Sequence, residues 1–262
     1  MFLSLDIAGS GLQAQETSVA VVSQNLANVS TTGYKRQIPE FRDLLYMSLR
    51  RVGATSSDTG TIIPTGIQLG LGVQTAAIHR DVTQGTPTTT GGSLDLSISG
   101  RGYFQITLPD GSVSYTRDGT FQISPTGEIV TADGYPLSPS ITIPNNATGI
   151  NINTSGVVEA TIPAQTTPSN LGQIQLASFI NPNGLEATGS NLFLETSASG
   201  SPIVGTPGLD GVGNILQGTL ESSNVNPVSE ITRLITAQRA YEMNTKVLTA
   251  SDQMLQNLAQ VG

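Results

Sequence analysis

Residues 226–260 read NPVSEITRLITAQRAYEMNTKVLTASDQMLQNLAQ, with no Gly and with no Pro after Pro227. Asn226 is a favourable N-cap residue, and Pro227 suits the first helical position, where a backbone N–H would lack a helical partner in any case. Glu230 lies in the first turn, where the positive end of the helix dipole favours an anion. The stretch therefore predicts one uninterrupted helix, roughly 50 Å long.

Apolar residues recur along this predicted helix every seven positions, beginning at Leu234. A heptad spacing is typical of a helix that packs along a second helix. A helix this long extends beyond any small domain beside it, so another helix is needed to bury the stripe. The stripe residues that we expect to form assembly contacts are Leu234, Tyr241, Leu248, Leu255 and Leu258.

The start of the chain carries a matching heptad pattern, which predicts a first helix from about Leu3 to Asn28. Gly9 and Gly11 lie inside it and weaken it, each by about 1 kcal/mol relative to Ala. A cluster of turn-forming residues then ends the helix before Gly33. The stripe residues expected to form assembly contacts in this helix are Leu5, Leu12, Val19 and Leu26.

The two terminal helices can pair with each other. Closing a loop of nearly the whole chain costs only about 5 kcal/mol in entropy, and burial of apolar seams recovers about 25 cal/mol per Å². Two interpretations stay open. The helices are ordinary amphipathic helices beside a globular domain, or they form a terminal coiled coil whose remaining faces are buried by other copies of the chain.

The composition excludes several kinds of site. The chain has no Cys, which excludes disulfides, thiolate metal sites and cysteine nucleophiles. Its single His, His79, cannot by itself form a His-rich metal centre or supply paired acid–base chemistry. Charged residues make up 11% of the chain, well below the typical quarter. We expect a surface made largely of Ser, Thr, Asn, Gln and Gly.

The net charge of −8 is concentrated in the middle of the chain. Residues 1–80 carry a net charge of +1, residues 81–225 carry −9, and residues 226–262 carry none. An acidic middle argues against nucleic-acid binding, which needs a basic surface. The first residues lack the basic segment of a signal peptide, and the apolar runs are too short to span a bilayer. We therefore expect neither a cleaved leader nor membrane insertion.

The segment between the first helix and the middle is expected to be extended. Helical spacing of Phe41, Leu44, Leu45 and Leu49 predicts a short helix or turn inside it. Residues 52–72 are rich in Gly, Ser and Thr and read as a long loop or open hairpin. A long open loop is unusual in a compact domain, so we expect it to lie along another subunit. Residues 73–82 alternate in part, as a strand does.

The middle of the chain is predicted to be all β. Short alternating segments recur every 8–12 residues, separated by turn sequences such as Pro109–Ser112 and Ser124–Gly127. Further strands are expected at 141–143, 150–152, 172–180 and 191–195, and an exposed loop at 197–213. We predict an α+β fold: terminal helices paired as a coiled coil (1–30 and 226–262), an extended linker (31–80) and an outer all-β domain (81–225).

No motif in the chain points to catalysis. Gly100-Arg101-Gly102 resembles part of a phosphate-binding loop, but a strand pattern follows it rather than a helix, so a tight turn is the better interpretation. Asp110, Asp118 and Asp133 each precede a Gly and read as turn residues. No Gly-x-Ser-x-Gly motif surrounds any Ser. We expect no enzyme activity, no metal site and no cofactor.

Several stretches resemble signature sequences of bacterial flagellar basal-body rod proteins. NLANVSTTGYK (25–35) is similar to their N-terminal signature, while SNVN (223–226) and AQRAYEMN (237–244) are similar to the C-terminal one. GRGYF (100–104) and YTRDGTF (115–121) resemble motifs of their β domain. The signature residues are Asn25, Asn28, Gly33, Tyr34, Lys35, Asn226, Arg239, Tyr241 and Asn244.

Within the family, the distal rod group fits best. The chain length agrees, and residues 41–46, 56–57 and 64–66 resemble the segment that separates distal rod subunits from hook subunits. Gly9 and Gly11 make the first helix richer in Gly than the family pattern. The resemblance implies a structural subunit that polymerises into a hollow helical drive shaft, transmits torque from motor to hook and forms part of the export channel.

The resemblance also implies partners and a location. The subunit would leave the cytoplasm through the flagellar type III export apparatus and polymerise in the rod that crosses the periplasm. Its terminal helices would line the inner tube and its β domain would face outward. The partners would be copies of itself, the proximal rod and hook proteins, and the surrounding bushing rings. The alternatives are a proximal rod or hook-type paralogue and a secreted, β-rich carbohydrate-binding protein.

Overall fold

The computed structural model describes residues 2–51, 65–163, 167–209 and 211–261. These residues form two compact units, each with its own internal contacts. The helical unit comprises described residues within 1–27, 37–79 and 226–262, and the β unit comprises those within 28–36 and 80–225. The predicted α+β fold, with terminal helices around a central β-rich domain, is confirmed.

The helical unit is built on two long helices. Helix α1 spans Phe2–Ala27 and helix α2 spans Pro227–Val261, close to the predicted bounds. The two helices pack against each other along their lengths. Two small sheets complete the unit. Strand β1 (Gln37–Asp43) pairs with β4 (Val73–Arg80), and β2 (Tyr46–Arg50) pairs antiparallel with β3 (Ile67–Gly70).

The short helix or turn predicted from Phe41, Leu44, Leu45 and Leu49 is wrong, because this stretch forms β1 and β2. The backbone finds partners elsewhere in the unit: the Leu44 N–H donates to the Gly72 carbonyl at 2.8 Å, and the Leu71 N–H donates to the Leu45 carbonyl at 3.2 Å. Pairing with a distant segment outweighs the local spacing of a few apolar residues. Of the predicted loop over 52–72, residues 52–64 lie outside the described residues.

The β unit consists of short strands joined by turns, with one 3₁₀ turn at Pro182–Gly184 among its described residues. Its strands are β5 Pro87–Thr89, β6 Leu96–Ser99, β7 Tyr103–Thr107, β8 Val113–Thr116, β9 Gln122–Ile123, β10 Ile129–Val130, β11 Leu137–Ser138, β12 Gly149–Ile152, β13 Val157–Thr161, β14 Ser169–Gln173, β15 Leu176–Ser178, β16 Glu186–Gly189, β17 Leu192–Leu194, β18 Ile203–Gly205, β19 Asn214–Gln217 and β20 Thr219–Glu221.

The largest described sheet has the order β16-β17-β8-β7-β15-β18, with β11 joined to β7. A second sheet has the order β12-β13-β14, and the pairs β9–β10, β6–β19 and β5–β20 complete the unit. Most of the buried aliphatic and aromatic side chains from these sheets form one large core, and Tyr115, Ala177, Phe179 and Leu185 form a second, smaller cluster. Among the members of the large core are Leu96, Ile98, Phe104, Ile106, Leu137, Val158, Ile174, Leu176 and Ile215.

Both predicted hairpins are present, β7–β8 around Pro109–Ser112 and β9–β10 around Ser124–Gly127. Two strand predictions and one loop prediction need correction. Residues 141–143 form no strand of their own, and Thr142 makes only an isolated bridge to Glu128. The predicted strand over 172–180 falls into two strands, β14 and β15, which pair with different neighbours. The predicted loop at 197–213 contains β18, because its backbone adds to the edge of the largest sheet beside β15.

The free energy of unfolding should depend on pH through the buried hydroxyl of Tyr115. Burial raises the pKa of Tyr115 to about 12, and the Glu195 carboxylate, which accepts a hydrogen bond from its hydroxyl at 3.4 Å, acts in the same direction. The folded protein therefore holds this proton more tightly than the unfolded chain. The resulting stability is fully present below about pH 10 and is lost as the pH rises through about 12.

We expect Tyr115→Phe to show a shallower loss of unfolding free energy than the wild type between about pH 10 and pH 12. Urea unfolding at a series of alkaline pH values, followed by circular dichroism, measures both slopes. Other alkaline groups titrate in both proteins and cancel in the difference. Parallel pH profiles for the two proteins would contradict the role given to this hydroxyl.

Candidate functional site

The start of α2 is fixed by a conventional N-cap. The side-chain oxygen Oδ1 of Asn226 accepts hydrogen bonds from the N–H groups of Val228 at 3.0 Å and Ser229 at 3.3 Å. Pro227 occupies the first helical position. Two donors at the helix start are thereby satisfied, which stabilises α2 by about 1 kcal/mol. The helix begins where the sequence predicts it.

One turn later, Glu230 forms a buried polar junction with α1 and β1. Glu230 is fully buried, and its Oε2 accepts a hydrogen bond from Asn25 Nδ2 at 3.1 Å. The Asn25 amide also donates to the Gln37 carbonyl and accepts from the Gln37 N–H, each at 2.8 Å. Arg233 Nη1 lies 3.8 Å from Glu230 Oε1. A single amide therefore joins α1, α2 and β1.

Away from this junction, the two helices meet through small residues. Ser4 Oγ lies 3.5 Å from Ser251 Oγ, and a Cβ built on Gly11 would lie 2.8 Å from Nδ2 of Asn244. From the first of these pairs to the second, the position moves seven residues forward in α1 and seven residues backward in α2. The pair Asn25–Glu230 lies a further fourteen residues along each helix in the same directions. The helices are therefore antiparallel, and small side chains allow them to approach closely.

The predicted assembly residues lie beside this line of contacts rather than on it. Those of α1 are half-buried, as are Leu234, Leu248 and Leu255 of α2, while Tyr241 is 45% exposed. The side chain of Leu258 lies outside the described residues. Their role in assembly stays a prediction. The half-buried members of the set in α1 are Leu5, Leu12, Val19 and Leu26.

Because small residues occupy the contact line, larger apolar side chains of α2 remain in contact with water. Val228 is 74% exposed, Met243 60%, Met254 49% and Val247 47%. Large apolar side chains exposed repeatedly along one helix are candidates for an interaction surface. We call the following residues the apolar face of α2: Val228, Ile231, Ile235, Met243, Val247 and Met254.

The strands of the helical unit and the link between β1 and β2 also expose apolar side chains. Leu45 is 84% exposed, Leu49 61%, Tyr46 58% and Ile67 50%. A two-stranded sheet such as β2–β3 has little independent stability in water. This part of the unit therefore has the composition of a surface that another chain covers.

In the β unit, the signature residues lie around a buried carboxylate, Glu221. The Lys35 ammonium lies 2.6 Å from Glu221 Oε1 and also donates to the Thr83 carbonyl at 2.8 Å. Arg117 Nε lies 3.3 Å from Glu221 Oε2. The N–H of Gly33 donates to the Glu221 carbonyl at 2.8 Å. All three charged side chains are at least 95% buried, since their exposed fractions are 5%, 5% and 1%.

Burial lowers the pKa of Lys35, and the Glu221 carboxylate opposes that shift. Gly33 has a φ of 68°, in the left-handed region, and a Cβ there would lie 2.8 Å from the carbonyl carbon of Arg117. Only glycine avoids both the backbone strain and this overlap. The Gly33–Lys35 segment is thereby held against the Arg117 backbone and Glu221.

The other signature residues have simpler surroundings. Asn28 Oδ1 accepts a hydrogen bond from the Thr31 hydroxyl at 3.0 Å, in the turn that follows α1. The Tyr34 N–H donates to the Thr31 carbonyl at 3.3 Å. Arg239 is exposed on α2. Asn28 and Tyr34 therefore belong to the turn that ends α1, and Arg239 lies on the exposed surface of α2.

The sequence did not identify Glu221, nor Ser4 and Gly11 as contact residues of α1. The residues Ser4, Gly11, Ser18 and Asn25 recur every seven positions in the sequence. They are small or polar, so a pattern based on apolar residues does not include them. Among the described residues there is no group of three His, Asp or Glu side chains that could hold a metal. No described helix is both long enough and apolar enough to cross a bilayer.

Family comparisons match both ends and the middle of the chain. The family model described as "Flagella basal body rod protein" matches residues 5–35. The model described as "Flagellar hook protein FlgE/F/G D1 domain" matches residues 97–160, and "Flagellar basal body rod FlgEFG protein C-terminal" matches residues 216–261. These ranges include most of α1, part of the β unit and nearly all of α2.

Individual relatives agree over the full length. The chain is 53% identical over 258 residues to the flagellar basal-body rod protein FlgG of Caulobacter vibrioides, covering 98% of each chain. It is 49% identical over 261 residues to the protein of the same name from Buchnera aphidicola, covering 100% of each chain. Its identity to the flagellar hook-basal body complex protein FlhP of Bacillus subtilis is 30% over 97% of each chain.

The close contact at Gly11 can be tested against its neighbour Gly9. A Cβ at Gly11 would press on Asn244, whereas a Cβ at Gly9 would meet nothing within 4 Å. We expect Gly11→Leu to separate α1 from α2 and to increase hydrogen exchange in both. We expect Gly9→Leu to strengthen α1 by about 0.5–1 kcal/mol, because Leu is a better helix former. Equal exchange in the two variants would contradict the antiparallel register.

Gly33 can be tested against Gly111, which also has a positive φ, of 85°, but has open space around it. Gly111→Ala should lower the free energy of unfolding by about 1 kcal/mol, from backbone strain alone. Gly33→Ala should cost about 3 kcal/mol, because the methyl group also meets the Arg117 backbone. Urea unfolding of the β unit gives both values. A Gly33→Ala cost no larger than that of Gly111→Ala would show that the segment is not packed there.

Proposed function

The chain belongs to the flagellar basal-body rod protein family, and we propose that it is a structural subunit of the distal rod that polymerises into a hollow helical shaft. The shaft transmits torque from the motor to the hook and encloses part of the export channel. Relatives named as rod proteins align from end to end with this chain, which supports the choice of the rod. The lower identity to the hook-basal body complex protein makes a paralogue the weaker candidate.

The single observation that carries self-assembly is the apolar face of α2. Its residues are 45% to 74% exposed, although they lie on a helix that already packs against α1. Full burial of one such side chain stabilises a complex by about 1.5–3 kcal/mol. A regular polymer covers the same face in every copy, so the stabilisation repeats along the shaft.

Rigidity follows from helices packed side by side. A shaft that transmits torque needs contacts that resist sliding, and interdigitated side chains in close-packed interfaces resist it because a shift of one residue opens voids. Antiparallel helices held by Asn25 and Glu230 enter such a packing as one preformed piece. The low content of charged residues, 11%, weakens repulsion between copies.

The subunit belongs to the flagellar basal body, where it assembles with other axial proteins. We propose that its neighbours in the shaft are the proximal rod on one side and the hook on the other. Bushing rings surround the shaft in the periplasm, and the type III export apparatus delivers the subunits. Two separate units give each subunit two surfaces on which neighbours can pack. The net negative charge of residues 81–225 disfavours adhesion to other acidic surfaces.

Self-assembly through α2 can be tested by comparing Val247→Glu with Asn145→Glu. Both residues are exposed, and both substitutions add one negative charge. Only Val247 belongs to the apolar face, since Asn145 lies in a turn of the β unit. We expect Val247→Glu to raise the critical concentration for polymerisation at least tenfold, since it removes apolar contact area and places a charge in the interface.

The measurement is sedimentation of filaments formed from purified protein, with electron microscopy to confirm their form. Asn145→Glu should polymerise as the wild type does. The proposed interface is wrong if both variants assemble equally well. The proposal of self-assembly itself fails if the wild type forms no filaments at any concentration up to its solubility limit.

A further inference from the structure

The β unit contains a cavity of about 330 Å³ with three basic side chains in its wall. Two of them, Lys35 and Arg117, are the buried partners of Glu221. The third, Arg101, is exposed. Residues 81–225 contain only two basic groups, Arg101 and Arg117, and both line this cavity. The cavity is therefore a basic site within the acidic part of the chain.

The turn that carries Arg101 is held rigidly. Gly100 and Gly102 have φ values of 111° and 138°, which other residues adopt only with strain. Arg117 donates to the carbonyl of Gly100 at 2.9 Å and to that of Gly102 at 3.0 Å, one bond from each terminal nitrogen. Arg101 thus projects from a turn whose backbone is clamped on both sides. In the described part of the chain, its guanidinium has no hydrogen-bond or ion-pair partner.

The charges in the cavity wall do not balance. Lys35 and Arg117 share the single carboxylate of Glu221, so this buried cluster carries one positive charge in excess. Arg101 adds a second. An unbalanced buried charge is costly, and an anion within a few ångströms reduces that cost. The cavity wall therefore favours a negatively charged occupant.

The rim of the cavity is apolar. Ile180 is 83% exposed and Val82 is 46% exposed, and both line the same cavity as Arg101. An inorganic anion would leave these side chains in water. A protein segment that carries a carboxylate beside apolar atoms would satisfy Arg101 and cover Ile180 at once.

We propose that this cavity receives an aspartate or glutamate side chain from a second copy of the chain. The inference rests on the proposed function, because it needs copies packed side by side. Charge complementarity supports a copy as the source: residues 81–225 contain eleven acidic groups against two basic ones. Each subunit thus presents many carboxylates and few places that can bind one. The contact fixes how neighbouring β units meet, in addition to the contacts of the apolar face of α2.

The test compares Arg101→Gln with Asn145→Asp in the full-length protein. Both substitutions make the net charge more negative by one, and Asn145 lies in an exposed turn that does not line the cavity. We expect Arg101→Gln to raise the critical concentration for polymerisation about tenfold, the usual effect of losing one charge-assisted hydrogen bond. Arg101→Lys keeps the positive charge, so its critical concentration should stay close to that of the wild type. Asn145→Asp should have the same critical concentration as the wild type.

A second measurement separates a copy from a small anion as the occupant. Acetate is titrated into unpolymerised protein while the backbone amide signals of residues 100–103 are followed by NMR. Shifts in the wild type and none in Arg101→Gln, together with the tenfold effect on polymerisation, support the inference. Shifts with unchanged polymerisation of Arg101→Gln would overturn it and identify a site for small anions.

Absence of both effects would also overturn the inference, while leaving the proposed rod function in place. If the wild type does not polymerise, the proposed function fails together with the inference. Equal weakening of polymerisation by Arg101→Gln and Asn145→Asp would show an effect of net charge rather than of the cavity, and would count against the inference as well.

Discussion

The hydrogen bond between the buried Asn25 amide and the buried Glu230 carboxylate sets the register of the helical unit. A fully buried carboxylate is tolerated only where hydrogen bonds replace its hydration. If α1 slid by one heptad, Ser18 would stand where Asn25 stands, and its shorter side chain would not span the same distance. The bonds of Asn25 to both backbone groups of Gln37 would be lost as well. One register therefore satisfies all of these groups, and the neighbouring registers do not.

This register determines which side chains are left over for assembly. It aligns Ser4 with Ser251 and Gly11 with Asn244, so the helices approach each other through their smallest residues. Close approach leaves no room for long side chains on the contact line. The larger apolar residues of α2 consequently lie on other faces of the helix, where Met243, Val247 and Met254 are about half exposed. The close helix pair and the exposed apolar side chains of α2 are thus two results of one arrangement.

The sequence predicted what depends on local chemistry and missed what depends on distant partners. The N-cap at Asn226, both long helices and the hairpin around Pro109–Ser112 follow from propensities within a few residues. The strands at Phe41–Leu49 do not, because the pairing of that stretch with residues 67–72 overrides its helical spacing. The α1 half of the helix contact line was also missed, because an apolar heptad pattern selects Leu5 and Leu12 rather than Ser4 and Gly11. The ion pair between Lys35 and Glu221 joins residues 186 positions apart, and no local pattern in the sequence indicates it.

The two buried carboxylates explain why the resemblance to rod proteins lies in polar residues rather than in the core. Apolar cores tolerate exchange among residues of similar volume, so many sequences can form the same β unit. A buried ion pair or amide–carboxylate pair allows far fewer substitutions, because loss of one partner leaves the other unsatisfied. Within the helical unit this applies to Asn25 and Glu230, and within the β unit to Lys35 and Glu221. In each unit, a residue from the first 36 positions joins one near the start of α2. These polar side chains therefore join the two ends of the chain, and they also belong to the stretches that resemble rod proteins or lie next to them.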